Sequence, residues 1–223
     1  MDPTSGDSSW LLQLRGRFLV FDGPDGSGKS TALKRFAALC RVAGLTVTEA
    51  RDPGGTPVGE RIREILLDPI HAEMTVRTEM LLYMASRAQL VEEMIRPALA
   101  RGELVLGDRF VSSTLAYQGA AGGMPERDIL HAAEVACAGT WPSLTVILDV
   151  DEATAARRLG MLLDRMEAKG ASFHRKVREG YLSQARQWPE RYLLVDASRD
   201  MDRVWAELLA GLERWAASHP PRA

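Results

Sequence analysis

Cysteine is almost missing from this sequence, and that narrows its chemistry. Only two, Cys40 and Cys137, occur in 223 residues, too few for a disulfide framework and without metal-ligand spacing. Both lie in apolar segments expected to be helical, so they read as buried, reduced thiols, which favours the cytoplasm. No apolar run approaches the roughly 18 residues of a membrane helix. The first residues carry acids where a signal peptide carries lysines, so neither export nor a membrane partner is expected. An excess of one charge is missing too: 28 basic against 30 acidic residues leave a net charge of −2. Blanket attraction to nucleic acid is thereby excluded, and any anion binding has to be local. There is no repeat, low-complexity tract or linker, and 46% hydrophobic residues over this length suit one large domain. The expected layout is a mobile N-terminal tail over 1–15, one domain over 16–218 and a C-terminal tail over 219–223, with Trp10-Leu11-Leu12 packing on the domain.

What the chain does have is a phosphate-binding loop. Gly23-Pro24-Asp25-Gly26-Ser27-Gly28-Lys29-Ser30, followed by Thr31, fits G-x-x-x-x-G-K-[ST] at every fixed position. Its glycines let backbone N–H groups approach phosphate oxygens. Lys29 supplies a charge that spans the β- and γ-phosphates, and Ser30 a hydroxyl for the Mg²⁺ that phosphates carry. The context agrees, with a strand-like apolar run over 17–22 before the loop and helical spacing over 29–43 after it. The helix start points free N–H groups at the anion.

Further along, strands are predicted at 45–50, 103–107, 143–150 and 192–195, alternating with helical segments. Arg51 ends the second strand and leads into the sharp turn Asp52-Pro53-Gly54-Gly55-Thr56, which is either a ligand contact or only a turn. A helix is expected from Pro57 to Leu67, then a long amphipathic segment over Thr75–Ala100. There Tyr83 and Arg87 stand one turn apart, able to hold a flat ring between them or simply to pack. Asp108-Arg109 follows the third strand and reads as a Mg²⁺ partner with a phosphate fork, or as a helix N-cap beside a surface arginine. Ser112, Ser113, Thr114, Tyr117 and Gln118 form a polar and aromatic cluster suited to a base or sugar, before a flexible Gly119–Gly123. Helices are expected over 128–139, 151–158 and 201–217, and a mobile lid over 159–170. Between Arg157 and Arg191 basic residues outnumber acids nine to four, by design for an anion or as a helix surface with scattered charge.

Strands alternating with helices imply an α/β, doubly wound five-stranded parallel sheet with helices on both faces and a short lid, of the kind found in P-loop NTP hydrolases. In such sheets ligands bind beyond the carboxyl ends of the strands. The Gly23–Ser30 loop, Arg51, Asp108-Arg109 and Ala197-Ser198 all fall at that edge. Arg51, Arg87 and Arg109 exceed what one nucleotide needs, which points to a second phosphorylated substrate. A phosphate monoester is already ionised near pH 7, with a second pKa of about 6, so transfer to it requires alignment and charge neutralisation, not a strong base. A well-placed arginine contributes roughly 10³-fold or more to such a reaction.

The residues Arg51-Asp52-Pro53-Gly54-Gly55-Thr56, Leu82 to Gln89, Gly107 to Phe110 and Leu115 to Gly119 resemble the bacterial thymidylate kinase family from about Phe18 to the last helix. The resemblance implies ATP-dependent conversion of dTMP to dTDP with Mg²⁺, in a cytoplasmic homodimer built on long helices. It implies that Asp25 lies at the sugar 3′-hydroxyl, Arg51 and Arg109 hold the dTMP phosphate, and Tyr83 stacks on thymine. Arg87, Thr114 and Gln118 are then expected at base edges, with Tyr117 under the deoxyribose. Ser30 and Asp108 are expected at the metal, and Lys29, Arg109, Asp108, Arg158 and Arg165 in catalysis. Gly23 to Thr31 with Ala197 and Ser198 are expected around ATP. Three departures stand out. Tyr83 replaces the usual phenylalanine, Asp52 the usual glutamate, and Gly160-Met161-Leu162-Leu163 is apolar where the matching branch carries basic lid residues, leaving Arg157, Arg158 and Arg165 as candidates. The alternatives are a kinase for another pyrimidine monophosphate, or a degenerate relative with slow transfer. A GTPase switch is disfavoured, because no N-K-x-D motif is found.

Overall fold

Five short apolar runs form the sheet: β1 Phe18–Asp22, β2 Val47–Arg51, β3 Leu104–Asp108, β4 Leu144–Asp149 and β5 Tyr192–Asp196. In this computed structural model, which describes residues 8–158 and 165–220, they pair in parallel in the order β2-β3-β1-β4-β5. This is the doubly wound five-stranded sheet expected from the sequence. β1 sits at the centre, Val20 facing Gly107 on one side and Thr145 on the other.

The connecting helices are α1 Lys29–Val42, α2 Pro57–Leu67, α3 Val76–Leu90, α4 Arg96–Ala100, α5 Val111–Thr114, α6 Glu126–Cys137, α7 Glu152–Arg158, α8 Ala171–Gln187 and α9 Met201–Ser218. They cover both faces. Successive strand residues point to opposite sides, so Leu19 and Phe21 meet Leu33 and Phe36 of α1 and Leu208 and Leu212 of α9. Phe18 and Val20 meet Met80 and Met84 of α3 and Ile129 of α6. Cys40 and Cys137 lie in these two layers, where burial pushes their thiols up to about 12 and about 11. Local chemistry sets the helix starts. Thr56 accepts from the Gly59 N–H at 3.0 Å ahead of Pro57, and Asp200 from the Arg203 N–H at 3.0 Å.

The structure differs from the sequence reading in four places. Ser8–Leu14, within the expected tail, is a 3₁₀ helix: Trp10 and Leu11 pack on the domain as expected, Trp10 stacking on Phe36 with ring centroids 6.5 Å apart, but Leu14 is buried with Leu11 in the α1–α9 layer and Leu12 is exposed. The Thr75–Ala100 segment is helical but contains a π-turn over Val91–Ile95, where the Arg96 N–H reaches back to the Val91 carbonyl just before Pro97, a residue with no N–H to give. Gly119 lies inside a second π-turn, Leu115–Ala121, that continues α5. Finally, the basic stretch over 157–191, for which a helix surface is one of two readings, holds α8 over Ala171–Gln187. Its signal was present: Val177, Tyr181 and Gln184 recur at helical spacing and are buried. Residues 1–7 and 221–223, parts of the expected tails, lie outside the described residues.

If residues 8–14 are part of the core, Leu11→Ala should lower unfolding free energy by about 2–5 kcal/mol, as for other buried leucines. Urea unfolding of the full chain measures it.

Candidate active site

Where β1 ends, the chain has to turn sharply under the sheet edge. Gly23 makes that turn at φ 135°, where a Cβ would run into the Leu148 carbonyl. Gly28, at φ 86°, is the N-cap of α1 and offers no side-chain cap, with open space where its Cβ would be. The first N–H groups of α1 therefore face outward as donors for an anion. Lys29 folds back over the loop, 3.4 Å from the Pro24 carbonyl and 3.4 Å from Asp25 Oδ1. Its ammonium is held below the usual lysine range by burial and then by Arg109.

A polar cleft of about 210 Å³ opens on one side of this loop, walled by Asp25, Lys29, Ser30, Arg51, Tyr83 and Arg109 among others. Arg109, in the left-handed region at φ 69°, is fixed by its N–H to the Phe21 carbonyl at 3.0 Å. Its guanidinium pairs with Asp25 and reaches Ser113 Oγ at 3.0 Å and Tyr181 Oη at 3.2 Å. Tyr117 gives its hydroxyl proton to Asp25 at 2.7 Å. Burial would raise the Asp25 carboxyl, but Arg109, Lys29 and Tyr117 outweigh it and hold it well below the usual carboxylate range. Ser30 Oγ donates to Asp108 Oδ2 at 2.6 Å, bringing a hydroxyl and a carboxylate together at the loop.

The wall opposite the loop comes from α3 and the segment after β3. Arg87 is almost wholly buried: Nε donates to Asp52 at 2.6 Å, Nη2 to Thr114 Oγ1 at 3.0 Å, and Nη1 faces Met84 Sδ at 3.0 Å. Asp52 Oδ1 is left without a partner among the described residues, and burial pushes the Asp52 carboxyl up against the pull of Arg87. Gln118 lines the same wall, its Nε2 donating to Glu79 at 2.7 Å. Arg51, half-exposed at the rim, pairs with Glu60 at 2.6 Å.

A second cavity of about 540 Å³ lies on the other side of the loop, lined by Gly26, Gly28, Thr31, Arg35, Arg158, Ala197 and Trp205 among others. Arg35 stacks over the Trp205 ring with its guanidinium carbon 4.3 Å from the centroid. Ser198, expected here, instead turns its N–H and hydroxyl to Asp196, at 3.1 and 2.5 Å.

The expected lid arginines lie apart from one another, and of their hydrogen bonds among the described residues only one, from Arg158, is to the phosphate loop. Arg158 spans the second cavity, 3.0 Å from the Ala197 carbonyl and 3.5 Å from the Gly26 carbonyl. Arg157 bonds Thr154 at 2.8 Å in its own helix. Arg165 is buried, Nε on the Leu66 carbonyl at 2.7 Å and Nη2 on Glu79 at 2.5 Å, because two acceptors at the end of α2 and on α3 meet it there. Gly160-Met161-Leu162-Leu163 lies outside the described residues.

Sequence reasoning missed three groups. Asp22, wholly buried, accepts from Gly23 N at 2.9 Å, Ser112 Oγ at 2.5 Å, Ser113 Oγ at 2.8 Å and Tyr181 Oη at 2.7 Å. Arg63 lines the cleft and donates to the Pro53 carbonyl at 3.1 Å. Glu79, buried in α3, pairs with Arg165 and Lys169. The available signal was an acid bordering an apolar run, Asp22 closing one and Glu79 opening one.

The sequence model of the thymidylate kinase family matches residues 21–208. The chain is similar to proteins named thymidylate kinase from Deinococcus radiodurans, 46% identical over 200 residues covering 89% of this chain and 97% of that one. It is also similar to those from a Geobacillus species, 42% identical over 89% and 97%, and from Caldanaerobacter subterraneus, 42% identical over 91% and 97%.

With its folded-state pKa depressed, Asp25 contributes stability that is complete above the unfolded carboxyl pKa of about 3.9 and is lost as pH falls through the folded value. The native chain should therefore lose stability between about pH 5 and 2 more steeply than Asp25→Asn, as read from urea midpoints against pH.

Proposed function

The chain belongs to the thymidylate kinase family, and from that membership we propose that its two cavities carry ATP-dependent phosphorylation of dTMP to dTDP. The observation that carries the reading is that one loop walls both cavities. Asp25, Lys29 and Ser30 face the arginine-lined cleft, and Gly26, Gly28 and Thr31 the larger one. A donor nucleotide in the larger cavity lays its phosphates over the loop toward an acceptor in the cleft.

The residues divide the work. Gly23 to Thr31, with Ala197, bind ATP, and Arg35 on Trp205 borders the space for its base. Arg109 and Arg51 take the acceptor phosphate, with Arg63 beside them. Tyr83 offers a stacking face, Gln118 an amide at the base edge, and Tyr117 closes the sugar side. Arg87 and Thr114, occupied with each other and with Asp52, shape the base wall. The acceptor monoester needs no strong base, so Lys29 and Arg109 act by orienting phosphates and neutralising charge. Anion arrival competes with Asp25 for both cations, which exchange one carboxylate for phosphate oxygens.

Ser30 and Asp108 fit Mg²⁺, since their hard oxygens already meet at 2.6 Å beside the loop. When bound, the ion neutralises phosphate charge. Among the described residues no helix is long and apolar enough to cross a membrane, and a cytoplasmic site of action agrees with the two buried thiols. A homodimer through α2 and α3 is supported by the exposed Val58, Ile65 and Leu81 on that pair and Ile70 in the turn between them; light scattering on the eluted peak tests it.

Coupled ADP release with ATP·Mg²⁺ is the direct assay. Turnover should be fast with dTMP, weaker with dUMP and near zero with dCMP, AMP and GMP; preference for another monophosphate overturns the base assignment. Lys29→Met should lower kcat with dTMP by about 10³-fold or more.

A further inference from the structure

Glu79 has no part in the chemistry just described, yet it is among the most deeply buried acids in the described chain, 1% exposed. Arg165 Nη2 lies 2.5 Å and Lys169 Nζ 3.1 Å from its Oε2. Its Oε1 accepts Gln118 Nε2 at 2.7 Å. Two cations on one carboxylate leave it only acceptor oxygens, so the Gln118 amide can meet it only nitrogen-first. Among the described residues no donor meets Gln118 Oε1, and Gln118 lines the cleft. The amide thus has a fixed sense, with its carbonyl as the group left for a ligand.

We propose that Glu79 is a specificity-positioning residue: by holding the Gln118 amide nitrogen-inward, it makes the cleft offer an acceptor and thereby selects a pyrimidine that carries an N3–H over one whose N3 is a lone pair. The inference rests on the dTMP reading of the cleft and deepens it. Cytosine presents N3 as an acceptor, so against a fixed Oε1 two lone pairs oppose each other, and reading cytosine requires the amide to flip. Flipping turns Gln118 Oε1 onto the Glu79 carboxylate, acceptor against acceptor in a buried site. The discrimination therefore comes from a residue that does not touch the substrate. Arg165 and Lys169 keep the carboxylate in place, which gives these two cations a role in base selection and not in phosphoryl transfer.

The test is steady-state kinetics of the native chain and of Glu79→Gln, with dTMP and dCMP as acceptors. Gln at 79 keeps the size but presents both a donor and an acceptor, so Gln118 loses its fixed sense. The ratio of kcat/KM for dTMP over dCMP should fall by about tenfold or more, with most of the loss in the KM for dTMP and little in kcat. An unchanged ratio overturns the proposal even if both rates drop, since a merely structural role would slow both substrates alike. If E79Q does not fold, hydrogen exchange of the Gln118 side-chain amide in the native chain decides: slow exchange upholds it, and exchange as fast as that of exposed glutamines overturns it. A native chain that does not prefer dTMP overturns the reading beneath and this inference with it. A native preference that survives intact in E79Q overturns this inference alone.

Discussion

The last residue of the central strand organises this site. Asp22 has no access to water and gathers donors from the loop after β1, from the start of the helix after β3 and from the middle of α8. A buried carboxylate is tolerable only when its oxygens are satisfied, so these elements must come to it together. The phosphate loop, the polar turn at Ser112-Ser113 and Tyr181 are thereby set in one frame. Arg109 is supported by the same frame, through Ser113, Tyr181 and a 3.4 Å contact to Asp22 itself. The cleft's principal cation is placed by a side chain that no ligand needs to touch.

Around that frame the site is a balance of charge without excess. Asp25 neutralises Lys29 and Arg109, Asp52 neutralises Arg87, Glu60 meets Arg51, and Glu79 meets Arg165 and Lys169. Each of these cations thus has a carboxylate beside it, and Arg63 a backbone carbonyl, which limits unpaired positive charge in a low-dielectric place. The depth of each pair separates their roles. Pairs at the rim, such as Arg51–Glu60, are half-exposed. Those of Arg87 and Arg165 are sealed in, and they act as architecture.

Much of this was legible in the sequence, because it is local. The loop carries its own spacing, the strands their own apolar runs, and Arg51, Asp108 and Arg109 their positions at strand ends; together these suffice for the sheet and for the cleft's near wall. What escaped depends on partners far apart in the chain. Asp22 looked like the end of an apolar strand until Tyr181, 159 residues away, was seen to donate to it. Arg165 looked like a lid arginine because nothing near it in sequence announces that Glu79 and the Leu66 carbonyl would claim it. Leu14 read as tail because it becomes core only once α1 and α9 are in place beneath it.

The sulfur chemistry of the molecule follows from its layers. Both thiols are sealed in opposite layers and pushed up to about 12 and about 11 by burial, so at neutral pH almost none is thiolate, the form that attacks an electrophile. To a thiol reagent the native chain is therefore nearly blank. A single cysteine introduced on its surface would carry a fluorophore or spin label alone, and the two native ones need not be removed first.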